Sequence, residues 1–196
     1  MPESSSDDLW SLLLAIGREP RSGSVAHPTL GGVNWHDDRG WELDGPWDAA
    51  ARDMFGLYKP LLDARRRDGV WVFGQLGQSL DGCVATRSGD SCFINGPEIL
   101  THLHRLRALS DAVIVGAGTV ASDNPRLTTR HVEGPHATRV LLDPTLRLAP
   151  LVGTAHVFND GQASTLWLCD GAFRSEAVAL AGERRVLAQE PVIGLV

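Results

Sequence analysis

The chain has 196 residues and a net charge of −6, from 18 basic and 24 acidic side chains. This length suits one domain of about 150 residues with an extension, and the composition is that of an ordinary globular protein. The negative net charge argues against a protein that binds the phosphate backbone of nucleic acids, because such binding needs a surplus of basic side chains. The single lysine, Lys59, has no glycine beside it, which argues against a phosphate-loop nucleotidase and a Schiff-base enzyme.

Cysteine usage and the N-terminal residues bear on the compartment. Three cysteines without a Cys-x-x-Cys spacing fit neither a disulfide framework nor a structural zinc site. The apolar run within residues 9–16 is too short to cross a bilayer, and Asp7 and Asp8 precede it where a signal peptide carries positive charge. We therefore expect a cytoplasmic protein with no bound metal and no membrane partner.

The first 69 residues are predicted to form an N-terminal extension. Apolar residues at helical spacing predict a short helix over residues 9–16 and a second over about 47–67, kinked or split at Pro60. Between the helices, residues 18–46 are rich in Gly, Pro, Asp and Asn. This composition predicts irregular chain that packs through Trp35 and Trp41.

From residue 70 onward, short β-branched runs alternate with helical segments. Predicted helices cover about 97–109 and 175–181. The predicted strands lie near 70–76, 112–115, 138–142, 156–158, 165–168 and 185–187. The alternation predicts a layered α/β domain over residues 70–196.

Arg107 occupies an unusual position in the predicted helix 97–109. At about 100° per residue it falls inside an apolar sector. The other members of that sector are Ile99, Leu100, Leu103 and Leu106. A guanidinium facing a core needs an anionic or densely hydrogen-bonding partner. Two partners remain open at this point, a carboxylate of the chain itself and a bound phosphate.

The predicted strand that follows this helix ends in Gly116-Ala-Gly118. With Ala121 these residues match the dinucleotide fingerprint, but Pro125 limits any following helix to about two turns, which argues against a Rossmann unit. The glycines still allow a ligand to approach the backbone closely, and a helix start offers N–H groups suited to pyrophosphate.

A turn rich in charge follows that short helix. Arg126 and Arg130 lie just after Pro125, and with Arg107 they are candidates for a phosphate grip, because planar guanidinium groups bind phosphate through two hydrogen bonds. Alternatively, Arg126 is a solvating surface cation in a chain almost without lysine. His102 and His104 are about 200° apart around the helix, so they are not expected to share a metal.

Taken in order, these motifs resemble the reductase domain of bacterial riboflavin biosynthesis. The segments that carry the resemblance are 79–85 (SLDGCVA), 89–91 (GDS), 104–108 (HRLRA), 110–112 (SDA), 115–120 (VGAGTV) and 123–128 (DNPRLT). The resemblance is good over 70–149, loose over 150–190, and absent from the first 69 residues.

The resemblance implies a dihydrofolate-reductase-like fold, in which a mixed, mostly parallel sheet is flanked by helices and NADPH lies across the strand ends. It also implies reduction of a pyrimidine ribosylamine 5′-phosphate to the ribitylamine, with a hydride passing to the ribose anomeric carbon of the ring-opened imine. Such chemistry needs positioning, a phosphate anchor and a proton source, and no protein nucleophile.

Family roles transfer to matching positions of this sequence. The residues matching substrate contacts are Ser91, Arg107, Leu127 and Arg130. Those assigned to the cofactor are Gly77, Phe93, Gly116, Gly118, Thr119 and Asp123. Phe93 stands where the family often has tryptophan, so stacking remains while the indole donor is lost. Asp123 is the candidate catalytic residue nearest the transferred hydride; the structural alternative is a helix-ending cap before Pro125.

Two departures from the family pattern qualify this expectation. The zinc ligands of the family's deaminase domain are missing, so any activity is expected to be reductase only. No Glu-Gly-Gly segment appears before Val196, which suggests a shortened domain. A non-catalytic or partner-dependent binding module therefore stays open beside the enzyme. Residues 192–196 form an apolar tail with strand propensity, which favours a homodimer or a sequence cut within a domain.

Overall fold

The structure, a computed structural model, describes residues 5–67, 69–87 and 96–189. The chain divides into two compact units, Met1–Ser91 and Cys92–Val196. The helices and strands of the first unit are α1 (Ser5–Arg18), β1 (Ser24–His27), β2 (Gly31–His36), β3 (Gly40–Asp44) and α2 (Ala49–Arg66). Those of the second are α3 (Pro97–Leu109), β4 (Ala112–Gly116), α4 (Ala117–Asp123), β5 (Thr138–Leu142), α5 (His156–Asn159), β6 (Thr165–Asp170), α6 (Arg174–Ala181) and β7 (Val186–Gln189).

The prediction of irregular chain over 18–46 is wrong. This region contains an antiparallel sheet in the order β1-β2-β3. Trp35 on β2 lies opposite Trp41 on β3, with 5.6 Å between the ring centroids. Gly31 has a φ of +94°, and a Cβ there would collide with the Asp44 carbonyl oxygen, so this glycine is required by close backbone approach. The turn residues dominated the composition and concealed the two-residue alternation of the strands.

The two predicted N-terminal helices are present and pack on each other. Leu13 of α1 and Leu62 of α2 are fully buried. Helix α2 runs through Pro60 as one helix, so the predicted split is wrong. The amine of Lys59, one residue earlier, donates to the Arg39 and Trp41 carbonyls and to Asp63. The only lysine of the sequence therefore joins α2 to the β2–β3 hairpin.

The second unit has the predicted α/β architecture. Within residues 96–189, four strands form a parallel sheet in the order β4-β5-β6-β7. The strand predicted at 156–158 is wrong, because these residues begin the short helix α5. Its first amide N–H donates to the Asn124 side chain at 2.9 Å, and Val157 and Phe158 are buried. Contacts with residues distant in sequence therefore override the local strand propensity.

The strand predicted over 70–76 is also wrong. These residues adopt neither helix nor strand, and no described strand pairs with them. Val70 and Val72 are 96% and 80% exposed. Strand propensity needs a partner to satisfy the backbone hydrogen bonds, and the described part of the chain provides none here.

One face of the parallel sheet packs into an apolar core. Its most completely buried members, all with at most 1% exposure, are Val120, Leu141, Leu148, Val157, Trp167, Cys169 and Ala177. The buried Asp143 carboxylate accepts hydrogen bonds from the Arg147 and Leu148 amides and from the Trp167 indole. Asp143 is therefore a turn cap, as its position before Pro144 indicates.

None of the helices within the described ranges combines the length and apolar character needed to cross a bilayer.

Candidate functional site: an arginine pair at a buried turn

Helix α3 brings Arg107 to the turn that follows α4. Arg107 is half-buried, and its Nη1 donates to the Thr128 carbonyl oxygen at 3.4 Å. Arg130 is exposed, and its Nη1 donates to the Thr128 hydroxyl at 3.0 Å. Thr128 itself is fully buried. Two arginines that are 23 positions apart in sequence thus contact one residue.

The electrostatics of this arginine pair favour binding of an anion. Burial, and after it the positive charge of Arg130, lower the pKa of Arg107. Among the described residues, no carboxylate forms an ion pair with either arginine. Of the two partners open for Arg107, a carboxylate of the chain is therefore not the one found in this part of the structure. Two neighbouring guanidinium groups would be stabilised by a doubly charged anion such as a phosphate.

The buried face of α3 differs from the predicted one. Ile99 and Leu100, placed in the apolar sector, are 36% and 41% exposed, whereas His104 and Ala108 are 2% and 5% exposed. A helical wheel that considers only apolar residues does not detect a buried histidine, because histidine does not contribute to the apolar pattern.

His104 also belongs to this site, although the sequence suggested for it only a place in the motif 104–108 and a metal pairing with His102 that the helix geometry argues against. Its Nδ1 accepts the backbone N–H of Arg130 at 2.9 Å, and its ring centroid lies 4.5 Å from that of His131. Burial, followed in size by the effects of Arg107, Arg130 and His131, lowers the pKa of His104 to about 4. The only sequence signal was a histidine three residues before Arg107, on the same side of a helix.

The pKa of His104 leads to a prediction about stability. The free energy of unfolding should fall by up to roughly 3 kcal/mol as the pH drops from 6.5 to about 4, because the unfolded chain binds the proton first. Urea unfolding of the wild type and of His104→Asn across this range isolates the effect, since other groups titrate in both proteins. A difference between the two that does not change with pH would contradict it.

The residues assigned to the cofactor in the second unit lie together on β4 and α4. Ala117 and Val120 anchor α4 in the core, which leaves Gly118, Thr119 and Asp123 exposed. A Cβ at Gly118, or at Gly116 before α4, would meet no protein atom within 4 Å. Packing therefore does not require glycine at either position, and the surface above them is open to a ligand.

Asp123 is the last residue of α4, and its Oδ1 accepts a hydrogen bond from the Ser122 hydroxyl at 2.7 Å. The helix is capped by the next residue, Asn124, in the left-handed conformation with a φ of +41°. Leu127, which follows within the same turn, is buried at a φ of +56°. An unusual backbone thus separates Asp123 from the arginine pair.

The remaining predicted site residues are Arg126, Gly77, Ser91 and Phe93. Arg126 is exposed, and its charge acts on Asp160. Gly77 lies in the first compact unit, in a segment without helix or strand. Ser91 and Phe93 lie outside the described residues, as does the apolar tail 192–196.

Comparison with known proteins supports the resemblance found in the sequence. Residues 70–184 match the family model described as the RibD C-terminal domain. A 2,5-diamino-6-ribosylamino-4(3H)-pyrimidinone 5′-phosphate reductase from Methanothermobacter thermautotrophicus is 35% identical over 127 residues, 59% of this chain and 57% of the relative. Riboflavin biosynthesis protein RibD from Chlamydia trachomatis is 38% identical over 113 residues, 56% of this chain and 29% of the relative.

A solved structure has a similar fold. The diaminohydroxyphosphoribosylaminopyrimidine deaminase/5-amino-6-(5-phosphoribosylamino)uracil reductase from Thermotoga maritima matches with a TM-score of 0.53 at 26% identity, over 74% of this chain and 38% of that chain. The chain thus spans little more than half the length of the archaeal relative and less of the two bacterial proteins. This structural likeness confirms the expected fold class. Because the family match covers more than half of the sequence, the chain belongs to the RibD C-terminal domain family.

Proposed function

We propose that this chain is an NADPH-dependent reductase of riboflavin biosynthesis. It would convert a pyrimidine ribosylamine 5′-phosphate to the ribitylamine 5′-phosphate. The observation that carries the proposal is the pair Arg107 and Arg130, which meet at Thr128 without a carboxylate partner among the described residues. A relative from Methanothermobacter thermautotrophicus is named as a reductase of such a substrate.

The arginine pair is assigned to the substrate 5′-phosphate. Both side chains already donate one hydrogen bond to Thr128, which limits their rotamers and lowers the entropy lost on binding. Their remaining N–H groups are suited to phosphate oxygens. By the family resemblance, Leu127 and Ser91 complete the substrate contacts.

The open surface at the end of β4 fits a nicotinamide cofactor. It lies at the carboxyl end of a parallel strand, where α/β proteins bind such ligands. Gly116 and Gly118 leave room for close approach, and Thr119 offers an exposed hydroxyl. The cofactor would supply the hydride. The resemblance also assigns cofactor contacts to Gly77 and Phe93, and NADPH is the form we propose.

Asp123 is assigned to the proton side of the reaction. A protonated imine that accepts a hydride at carbon becomes a secondary amine, so atoms and charge balance. The exposed carboxyl group of Asp123, held by the Ser122 hydroxyl, would give its proton to the imine nitrogen and then, as a carboxylate, stabilise the positive charge of the imine. After hydride transfer, Asp123 would regain a proton from solvent. No protein nucleophile is required.

We also propose the division into an extension of residues 1–69 and a reductase domain of 70–196, which the start of the family match at residue 70 supports. A homodimer is proposed for the assembled protein. Ile114 on β4 and Leu187 on β7 are 56% and 50% exposed, which leaves apolar surface on the two outer strands of the parallel sheet as far as the structure describes it. Light scattering at several concentrations tests this assignment.

Turnover of the phosphorylated ribosylaminopyrimidine with NADPH tests the function. We expect NADPH oxidation that depends on substrate, and a loss of kcat of about 100-fold or more in Asp123→Asn, the size of a typical acid–base contribution. The matched control is Ser122→Ala, which keeps the carboxylate and should lose far less. Binding of NADPH without turnover would instead favour a non-catalytic binding module.

A further inference from the structure

We propose that His104 is a positioning residue that holds the backbone of Arg130 so that both arginines reach the same phosphate. This inference rests on the proposed function. It adds to the arginine pair a third side chain that need not touch the substrate.

The first support is the geometry of helix α3. Arg107 and His104 are three residues apart, so they lie on neighbouring positions of one helix face. Arg107 supplies one guanidinium directly. His104 accepts the amide N–H of Arg130, 26 residues later in the chain, at 2.9 Å. One helix therefore supplies one arginine of the pair and holds the main chain of the other.

The second support is that regular secondary structure does not hold the turn that carries Arg130. Residues 124–130 contain neither helix nor strand, and Leu127 has the left-handed conformation, which costs a non-glycine residue about 1 kcal/mol. Side chains fix this backbone instead. The Nδ1 of His104 accepts the backbone N–H of Arg130, and the Nδ1 of His136 accepts the backbone N–H of Thr129 at 3.2 Å.

The third support is the protonation state that this hydrogen bond requires. An Nδ1 that accepts an N–H belongs to a neutral imidazole with its proton on Nε2. The charged and titratable groups facing the ring are Arg107 on the same helix and Arg130 and His131 on the turn. Together with burial they keep the pKa near 4, so His104 is a neutral acceptor near pH 7. The positive charge that neutralises a bound phosphate therefore comes from the two arginines and not from His104.

Three substitutions separate positioning from general structural support. His104→Asn places an amide oxygen near the position of Nδ1, whereas His104→Gln carries the same group one methylene further out. His104→Leu removes the acceptor while keeping an apolar side chain. Circular dichroism and melting temperature check that each variant folds. If the leucine variant does not fold, the Asn and Gln pair still decides the question.

Four quantities are measured for each variant: kcat, the KM for the phosphorylated substrate, the KM for NADPH, and the Kd for inorganic phosphate by calorimetry. We expect His104→Gln and His104→Leu to raise the substrate KM and the phosphate Kd by about tenfold, with the NADPH KM within twofold, since a tenfold change corresponds to about 1.4 kcal/mol, which lies within the range that one hydrogen bond contributes. His104→Asn should restore both values to within about threefold of the wild type.

Unchanged phosphate affinity in His104→Leu or His104→Gln would overturn the inference, and so would an equal loss in kcat and in both KM values. The proposed function can fail separately. A wild type that binds phosphate in a His104-dependent way but reduces no substrate refutes the reductase and leaves the positioning role standing. A wild type that binds no phosphate refutes the positioning role.

Discussion

Replacing Arg107 with methionine is expected to raise the KM for the phosphorylated substrate by about 100-fold, corresponding to roughly 3 kcal/mol. The reason is that Arg107 is half-buried beside Arg130, so a phosphate bound there forms charge-assisted hydrogen bonds with little competition from water. The Kd for NADPH should stay within twofold, because Arg107 lies on α3, whereas the cofactor residues of the second unit that the structure describes lie on β4 and α4. Steady-state kinetics and cofactor fluorescence measure the two quantities.

Three controls make this prediction specific. Arg107→Lys keeps the charge but loses the planar fork, so about a tenfold rise in KM is expected. Arg126→Met removes an exposed arginine from the same turn, and its KM should stay near that of the wild type. The dephosphorylated substrate should respond weakly to Arg107→Met. An equal loss with both substrates would show that Arg107 does not bind the phosphate.

Replacing Asp160 with asparagine is expected to lower the free energy of unfolding by about 3 to 5 kcal/mol. Arg139 is 1% exposed, and its Nη2 donates to both Asp160 oxygens at 2.7 and 2.8 Å. Its Nη1 donates to the Val157 carbonyl oxygen. Burial by itself raises the pKa of Asp160. The hydrogen bond from Arg139 is the largest of the opposing effects, and together these hold the pKa of Asp160 below its ordinary value. Removing the carboxylate leaves a buried guanidinium without its counter-ion.

Urea unfolding followed by circular dichroism measures this loss. The matched control is Glu183→Gln, which breaks the exposed pair with Arg174 at 3.2 Å and should cost less than about 1 kcal/mol. The double variant Arg139→Met/Asp160→Leu should recover most of the stability, because an apolar pair of similar volume avoids burying a lone charge. Equal losses in Asp160→Asn and Glu183→Gln would contradict the role given to this ion pair.

Local sequence patterns were sufficient for most of the second unit. The strands at 112–115, 138–142, 165–168 and 185–187 and the helices at 97–109 and 175–181 all lie within two residues of the observed elements. Each is specified by periodicity and by glycine or proline at its ends, which are properties of a few neighbouring residues. The ordered motifs between residues 79 and 128 were likewise enough to recognise the family.

The residue types also identified Arg107 as a group that needs a partner. The neighbours of Arg107 could be identified only from the tertiary structure, because Thr128 and Arg130 approach Arg107 from a turn more than 20 positions away in sequence. His104 was missed for the same reason. Its hydrogen bond to the Arg130 amide depends on where helix α3 packs, and no pattern within the helix encodes that.

Other outcomes also depended on distant partners. Residues 70–76 have strand composition but no described strand beside them, and 156–158 became helical while its first amide bonds to Asn124. The buried ion pair joins Arg139 to a residue 21 positions away. Sequence patterns encode the local preferences of the backbone and the hydrophobicity of each residue. The hydrogen-bond and ion-pair partners of buried polar groups are decided only when the helices and strands pack together. Each buried polar group then loses its contact with water and needs a protein partner in its place.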